Sequence, residues 1–207
     1  MQKNNTKILA TSAMMVALSF MLSIFPKFSG LWPNGGSITV CSMLPIIMVS
    51  YIYGYKWGFL ASTAFALLQL LTGLKGIAGM DLMTTFLVVL LDYIIAFVVL
   101  GFGGMFHGKF NNPAKELCLG SIVAIGLRFL SHFLSGYFLF SSYAEWFFTQ
   151  EGFTLGNQIF ESLGNGTALY IVYSLMYNGS YLIPEMVITG IVAYIIGKKG
   201  IIERLSK

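Results

Sequence analysis

The sequence predicts an all-α membrane protein with six transmembrane helices. Of its 207 residues, 57% are hydrophobic and only 10% are charged, and the mean hydropathy is +0.78. A soluble domain has about 25% charged residues, so this chain has too few charges to cover a water-exposed surface. The length suits one integral membrane domain over residues 1–207, with no soluble domain beside it.

Six apolar segments are long enough to cross a bilayer, which takes about 17–25 helical residues. They cover residues 8–25, 37–53, 57–74, 82–104, 117–140 and 168–197. Only Gly54, Tyr55 and Lys56 separate the second segment from the third, which predicts a tight helical hairpin. Pro184 falls inside the last segment, where a proline either kinks a helix or marks its start.

Lysine and arginine residues predict the orientation of the six spans. Six spans place both chain termini on one side of the membrane, and that side holds nine basic residues against two on the other. Because positively charged loops stay in the cytoplasm, both termini are predicted to be cytoplasmic. The nine are Lys3, Lys7, Lys56, Lys109, Lys115, Lys198, Lys199, Arg204 and Lys207, and the two are Lys27 and Lys75.

The longest predicted loop, residues 141–167, lies on the outer side. It carries Glu145, Glu151 and Glu161 together with the aromatic residues Tyr143, Trp146, Phe147 and Phe148. Two interpretations stay open for this loop: a packed lid and an irregular, variable connection.

The motifs exclude several enzymatic functions. The stretch GGMFHGKF at 103–110 fits a phosphate-binding loop until Phe110, where that loop needs a hydroxyl residue for magnesium. The chain is therefore not expected to hydrolyse ATP by itself. It also has no H-E-x-x-H, G-x-S-x-G or paired-carboxylate pattern, so the sequence predicts no enzyme and no cofactor. The two cysteines, Cys41 and Cys118, are expected to be buried small residues and not a metal site.

Polar residues inside the apolar segments are the candidates for function. Asp92 lies in the middle of FLVVLLDYIIAF, and an ionised aspartate at the bilayer centre costs about 2.5–3.5 kcal/mol, so it should face a cavity or a partner. In RFLSHFLSG, Arg128 and His132 are four residues apart, as are His132 and Gly136, which places all three on one helix face. Two explanations stay open: internal pairing, for example of Asp92 with Arg128, and a polar ligand pocket. Asn178 and Glu185 belong to the same class of polar residue.

The stripe His132–Gly136–Phe140 predicts a slot for a flat ligand. Gly136 leaves room beside the imidazole, and the Phe140 ring one turn further offers a stacking face. The alternative for Gly136 is that it allows two helices to pack closely. The neutral hydrogen-bonding companions are Tyr93, Tyr173, Tyr177 and Asn178. A cationic ligand would be balanced by Asp92 and attracted by aromatic faces, each worth about 0.5–2 kcal/mol.

Six motifs, in order along the chain, resemble one family. They are PNGGSITVCSMLPI at 33–46, YGYKWG at 53–58, LLQLLTG at 67–73, LLDYIIAF at 90–97, RFLSHFLSG at 128–136 and YSLMYNGSYLIPE at 173–185. With these motifs the chain resembles the thiamine-specific substrate-binding (S) components of energy-coupling factor transporters.

The resemblance implies a six-helix membrane protein whose vitamin site opens outward. It implies that the protein lacks ATPase activity and docks onto a transmembrane coupling subunit with two ATPase subunits. The implied thiamine-binding residues are Asp92, Tyr93, His132, Gly136, Phe140, Tyr173 and Asn178, with Trp32 and Asn34 in a loop that covers the site. Some relatives have Glu at the position of Asp92 and Trp at that of Phe140, which is expected to retune affinity or analogue preference.

The family also docks through an A-x-x-x-A motif on its first helix, and Ala13 and Ala17 fit it here. Small residues one turn apart let another helix approach closely. The expected location is the bacterial plasma membrane, and no nucleic acid is expected as a partner. Two alternative functions remain: an S component for a related vitamin or pyrimidine precursor, and a stand-alone proton-coupled carrier in which Asp92, His132 and Glu185 relay protons.

Overall fold

The computed structural model describes residues 2–25, 27–28 and 36–206, and this part of the chain is mostly helical. Two short strands, β1 (Lys27–Phe28) and β2 (Ile38–Thr39), pair antiparallel. The helices are α1 (Gln2–Ile24), α2 (Leu44–Tyr53), α3 (Tyr55–Ile77), α4 (Leu82–Gly104), α5 (Pro113–Phe138), α6 (Ala144–Phe148), α7 (Thr154–Leu163), α8 (Thr167–Lys198) and α9 (Ile201–Ser206).

Within the described residues, five helices are long and apolar enough to cross a membrane: α1, α3, α4, α5 and α8. The ten residues of α2 form a shorter apolar helix, which is about 15 Å long. The predicted all-α membrane fold is confirmed. Pro184 lies inside α8, so it does not mark the start of the last span.

The predicted span over 37–53 needs correction, because its first seven residues are not helical. Here the chain forms β2 and passes through Cys41 at a φ of +59°, and α2 begins only at Leu44. The β-branched residues of the ITV stretch at 38–40 favour extended backbone, and Pro45 suits the first turn of a helix. Hydropathy alone does not separate a buried extended segment from a buried helix.

The predicted hairpin between the second and third segments is present. A single residue, Gly54, joins α2 to α3, and its φ of +85° is one that glycine adopts without strain. The side chains of α2 are buried from Leu44 to Tyr51, including Ile46 and Ile47. α2 therefore forms the centre of the bundle, packed against α1, α3, α4 and α5.

The segment 141–167 is folded. It contains a 3₁₀ turn (Ser141–Tyr143) followed by α6 and α7. Phe148 is fully buried, and the Phe147 ring centre lies 5.6 Å from that of Tyr173 on α8. Of the two interpretations left open, the irregular loop does not describe this segment.

Close helix contacts depend on residues without side chains. A methyl group added at Gly120 on α5 would overlap the carbonyl oxygen of Gly103 at the end of α4. At Gly126 on the same helix, nothing lies within 4 Å of such a methyl group. The two glycines therefore form a matched pair for testing the α4–α5 contact.

We expect Gly120→Ala to lower the free energy of unfolding by about 1–3 kcal/mol, because overpacking costs more than the helix propensity of alanine returns. Gly126→Ala should keep or slightly raise stability. Thermal unfolding of both variants in the same detergent is the measurement. Equal melting temperatures for the two variants would show that α4 and α5 are not packed this closely.

Candidate ligand-binding site

A cavity of about 340 Å³ lies between α3, α4, α5 and α8, within the range of about 300–1,000 Å³ that is usual for small-molecule sites. Seven of the nine predicted ligand-binding residues line it: Asp92, Tyr93, His132, Gly136, Phe140, Tyr173 and Asn178. Trp32 and Asn34 lie outside the described residues. The helices thus bring together residues that are up to 86 positions apart, from Asp92 to Asn178.

Asp92 and Tyr93 stand in an unusual turn of α4. Residues Val89–Ile95 form a π-helix, a rare wide turn that occurs frequently at functional sites. The Tyr93 hydroxyl donates a hydrogen bond to the carbonyl oxygen of Gly73 on α3, at 3.4 Å. The hydropathy of this stretch gives no sign of the π-turn, so sequence reasoning did not predict it.

The Asp92 carboxylate is held by two side chains of α5. Its Oδ1 lies 2.8 Å from His132 Nδ1, and its Oδ2 accepts a hydrogen bond of 2.6 Å from Ser135 Oγ. The side chains of His132 and Asp92 are only 11% and 18% exposed. A carboxylate can accept about four hydrogen bonds, so Asp92 keeps acceptor capacity for a ligand.

Arg128 contacts His132 and not Asp92. Its Nε donates to His132 Nε2 at 3.3 Å, which leaves Nδ1 as the protonated nitrogen that faces Asp92. The guanidinium carbon also lies 4.3 Å from the ring centre of Phe97, and Nη1 lies 2.9 Å from Met43 Sδ. Among the described residues, His132 and Ser135 are therefore the hydrogen-bond partners of Asp92, and the direct Asp92–Arg128 pair is not formed.

Gly136 lies at a close helix contact and also at the wall of the cavity. It lines the cavity, and a methyl group at this position would overlap Ser174 Oγ and lie 2.9 Å from Asn178 Nδ2. Close packing of α5 on α8 therefore requires glycine here. The ligand-facing role of Gly136 remains a prediction.

Asn178 connects α8 to α5 by hydrogen bonds at the cavity wall. Its Nδ2 donates to the carbonyl oxygens of His132, at 3.1 Å, and Ser174, at 3.0 Å. Its Oδ1 accepts a hydrogen bond of 2.8 Å from Tyr181 Oη. These contacts fix the position of the His132 backbone from the α8 side.

Several cavity residues were not predicted from the sequence: Ser37, Gln69, Gly76, Ile77, Met80, Phe97, Tyr143 and Tyr181. For two of these residues the sequence contains a pattern from which they could have been predicted. Gln69 is a polar residue inside the apolar motif LLQLLTG, and Tyr181 continues the four-residue spacing of Tyr173 and Tyr177. The others are apolar, small or in connecting segments, and only the tertiary structure brings them to the cavity.

The remaining predicted polar and docking residues lie away from the cavity. Glu185 is buried in α8 and contacts Thr39 and Ser42. Ala13 and Ala17 are exposed on one side of α1, whereas Ser12 and Ser19 on the other side are buried.

In the described part of the chain, five helices long and apolar enough to cross a membrane, with a cavity of small-molecule size between four of them and adjoining segments, are typical of a multi-pass membrane protein that binds a small molecule. The family model described as "Thiamine transporter protein" matches residues 9–147 of this chain. Thiamine transporter ThiT of Bacillus subtilis (strain 168) is 32% identical over 190 residues, which cover 87% of this chain and 84% of that protein. The structure of ThiT from Listeria monocytogenes has the same fold, with a TM-score of 0.66, 20% identity and 98% of both chains covered.

The chain therefore belongs to the thiamine transporter protein family. The resemblance carried by the six sequence motifs is confirmed by this membership. Members of the family are transporters and not enzymes, as the sequence predicted.

Proposed function

We propose that this protein binds thiamine from the outer side of the cell membrane and delivers it through an ATP-driven energy-coupling factor transporter, as its S component. The observation that carries the proposal is the Asp92–His132 pair beside aromatic walls, inside a cavity of a thiamine transporter family member. Tyr93 and Phe140 are predicted aromatic contacts that line the same cavity.

Thiamine suits the chemistry of this cavity. It combines a cationic thiazolium ring, a flat aminopyrimidine ring and a hydroxyl group. The free acceptor sites of Asp92 would take the amino group or balance the cation, and hydrogen bonds to a charged group contribute about 1.5–3 kcal/mol. Tyrosine and phenylalanine rings add cation–π attraction. Trp32 and Asn34 complete the proposed set of ligand contacts.

Delivery of thiamine into the cell requires a defined orientation of the protein in the membrane and partner subunits that supply energy. The distribution of nine basic residues against two supports cytoplasmic termini and a site that opens outward. Because the chain has no complete phosphate-binding loop, the energy would come from two ATPase subunits through a transmembrane coupling subunit. The exposed Ala13 and Ala17 on α1 offer a surface where a helix of that subunit can approach closely.

Two other functions compete with this proposal. The same cavity could serve a related vitamin or a pyrimidine precursor, which lacks the thiazolium cation. The 2.8 Å contact between Asp92 and His132 also fits a proton-coupled carrier, because both groups exchange protons. The reconstitution experiment below separates the proton-coupled carrier from the proposed function.

Purified protein should bind thiamine saturably, well below millimolar concentration, with a change in its tryptophan fluorescence. The reason is the carboxylate beside aromatic walls in one cavity. Calorimetric and fluorescence titrations are the measurements, with riboflavin and biotin as control ligands. Saturable binding of a control ligand, with none of thiamine, would reject the ligand assignment.

Asp92→Asn should weaken thiamine binding about tenfold to hundredfold, because it removes a charge-assisted hydrogen bond of about 1.5–3 kcal/mol. His132→Ala should cause a similar loss, since it removes both a wall of the slot and a partner of Asp92. Calorimetry on folded protein gives the affinities. Arg128→Gln is the control, and we expect it to lower stability more than affinity. Wild-type affinity in the first two variants, with a loss only in the third, would point to an anion site.

Uptake should depend on ATP-hydrolysing partners. The protein alone, reconstituted in liposomes with a proton gradient, should not accumulate thiamine, because its sequence has no complete phosphate-binding loop for ATP hydrolysis. Accumulation should appear when the coupling and ATPase subunits are reconstituted with it and supplied with ATP. Uphill uptake by the protein alone would establish the proton-coupled alternative.

Ala13→Leu and Ala17→Leu should abolish transport by the full complex while leaving thiamine affinity within about twofold. The larger side chain blocks the approach of a partner helix on the exposed face of α1. Ala64→Leu, at an exposed alanine on α3, is the matched control and should transport normally. If Ala13→Leu lost thiamine binding instead, this face of α1 would belong inside the protein.

A further inference from the structure

Glu185 is a buried acid that the proposed binding site does not use. It lies near the middle of α8, is 1% exposed and does not line the cavity. Burying a carboxylate is costly unless hydrogen bonds satisfy it. The partners of Glu185 therefore indicate what it does in the fold.

Those partners come from the chain between β1 and α2. Thr39 Oγ1 donates a hydrogen bond to Glu185 Oε1, and Ser42 Oγ lies 3.3 Å from the same oxygen. The two hydroxyl groups are also 2.6 Å apart. All three side chains are buried. We refer to Thr39, Ser42 and Glu185 as the clasp.

The backbone between the two hydroxyl residues is held in an unfavourable conformation. Cys41 has a φ of +59°, in the left-handed region that residues other than glycine seldom adopt. Such conformations persist only where the surrounding contacts enforce them. Thr39 and Ser42 flank Cys41 in the chain, and their contacts with Glu185 hold the backbone on both sides of it.

The segment that the clasp holds also forms part of the ligand cavity. Gly36 and Ser37, at its start, line the cavity. Met43, at its end, lies with its sulfur 2.9 Å from Nη1 of Arg128, whose Nε contacts His132. A shift of residues 36–43 would therefore change both a cavity wall and the support of His132.

We propose that Glu185 is a positioning residue for ligand binding, which acts by holding residues 36–43 against α8 through Thr39 and Ser42. The inference deepens the proposed function, and it depends on that function only for thiamine as the probe of affinity. Its direct consequence is that loss of the clasp frees residues 36–43 while the helical bundle stays folded.

Cys41 can report on this segment, because the residue is only 7% exposed and lies between Thr39 and Ser42 in the chain. In a Cys118→Ala background it is the single cysteine of the chain. We expect Glu185→Ala and Thr39→Val to raise the rate of maleimide labelling at Cys41 at least tenfold in unliganded protein. Glu185→Gln keeps an acceptor for the Thr39 hydroxyl and should label at nearly the parent rate.

Two controls distinguish the clasp from general loosening. Ser19→Ala removes a buried hydroxyl on α1 that has no hydrogen-bond partner in the described structure, and it should not change the labelling rate. The double variant Glu185→Ala/Thr39→Val should label no faster than Glu185→Ala alone, because Glu185→Ala already removes the contact that Thr39→Val breaks. Thermal unfolding identifies any variant that is not folded, and Thr39→Val, which removes one hydroxyl, is the milder test.

The ligand arm measures thiamine affinity and dissociation rate in the same variants. Glu185→Ala and Thr39→Val should weaken binding about tenfold, mainly through faster dissociation, and Glu185→Gln should restore most of it. Parent-like labelling and affinity in folded Thr39→Val and Glu185→Ala would overturn the inference. If the parent protein itself does not bind thiamine, the proposed function fails, while the labelling rates still decide whether the clasp holds residues 36–43.

Discussion

A carboxylate inside an apolar helical bundle has to be paired, and Asp92 imposes this requirement on the helices around it. Its two oxygens contact His132 at 2.8 Å and Ser135 at 2.6 Å, so α4 and α5 must approach closely at this depth. The π-turn over Val89–Ile95 lies at the same place. Because both contacts come from α5, the carboxylate is fixed from one side and keeps acceptor sites for the cavity.

Glycine makes the next layer of this arrangement possible. At Gly136 the absent side chain leaves space that Ser174 and Asn178 of α8 occupy, and Asn178 in turn holds the backbone of His132. The close approach of α5 to α8 and the shape of the cavity wall at Gly136 therefore have the same cause. A wall fixed from both sides loses little conformational freedom on binding, which favours affinity.

Hydropathy predicts the apolar spans and the polar residues within them because each residue type has its own free-energy cost of transfer into lipid. Hydropathy identifies Asp92 and His132 as polar residues in apolar spans, without information on the residues that they contact. It failed over residues 37–43, where apolar composition fits a buried extended segment as well as a helix. It also missed the π-turn, since a change of hydrogen-bond register leaves the composition unchanged, and it missed cavity residues such as Tyr143 that only the tertiary structure brings there.

Asp92 and Glu185 differ in exposure, and that difference favours ligand binding over proton coupling. Asp92 faces the cavity, whereas Glu185 is closed off by Thr39 and Ser42. A proton relay from Asp92 through His132 would next meet Arg128, whose guanidinium does not release its proton in proteins. The contacts that lead from Asp92 through His132 to Arg128 therefore end at a fixed positive charge. Such a charge orients His132 and holds its Nδ1 proton towards Asp92.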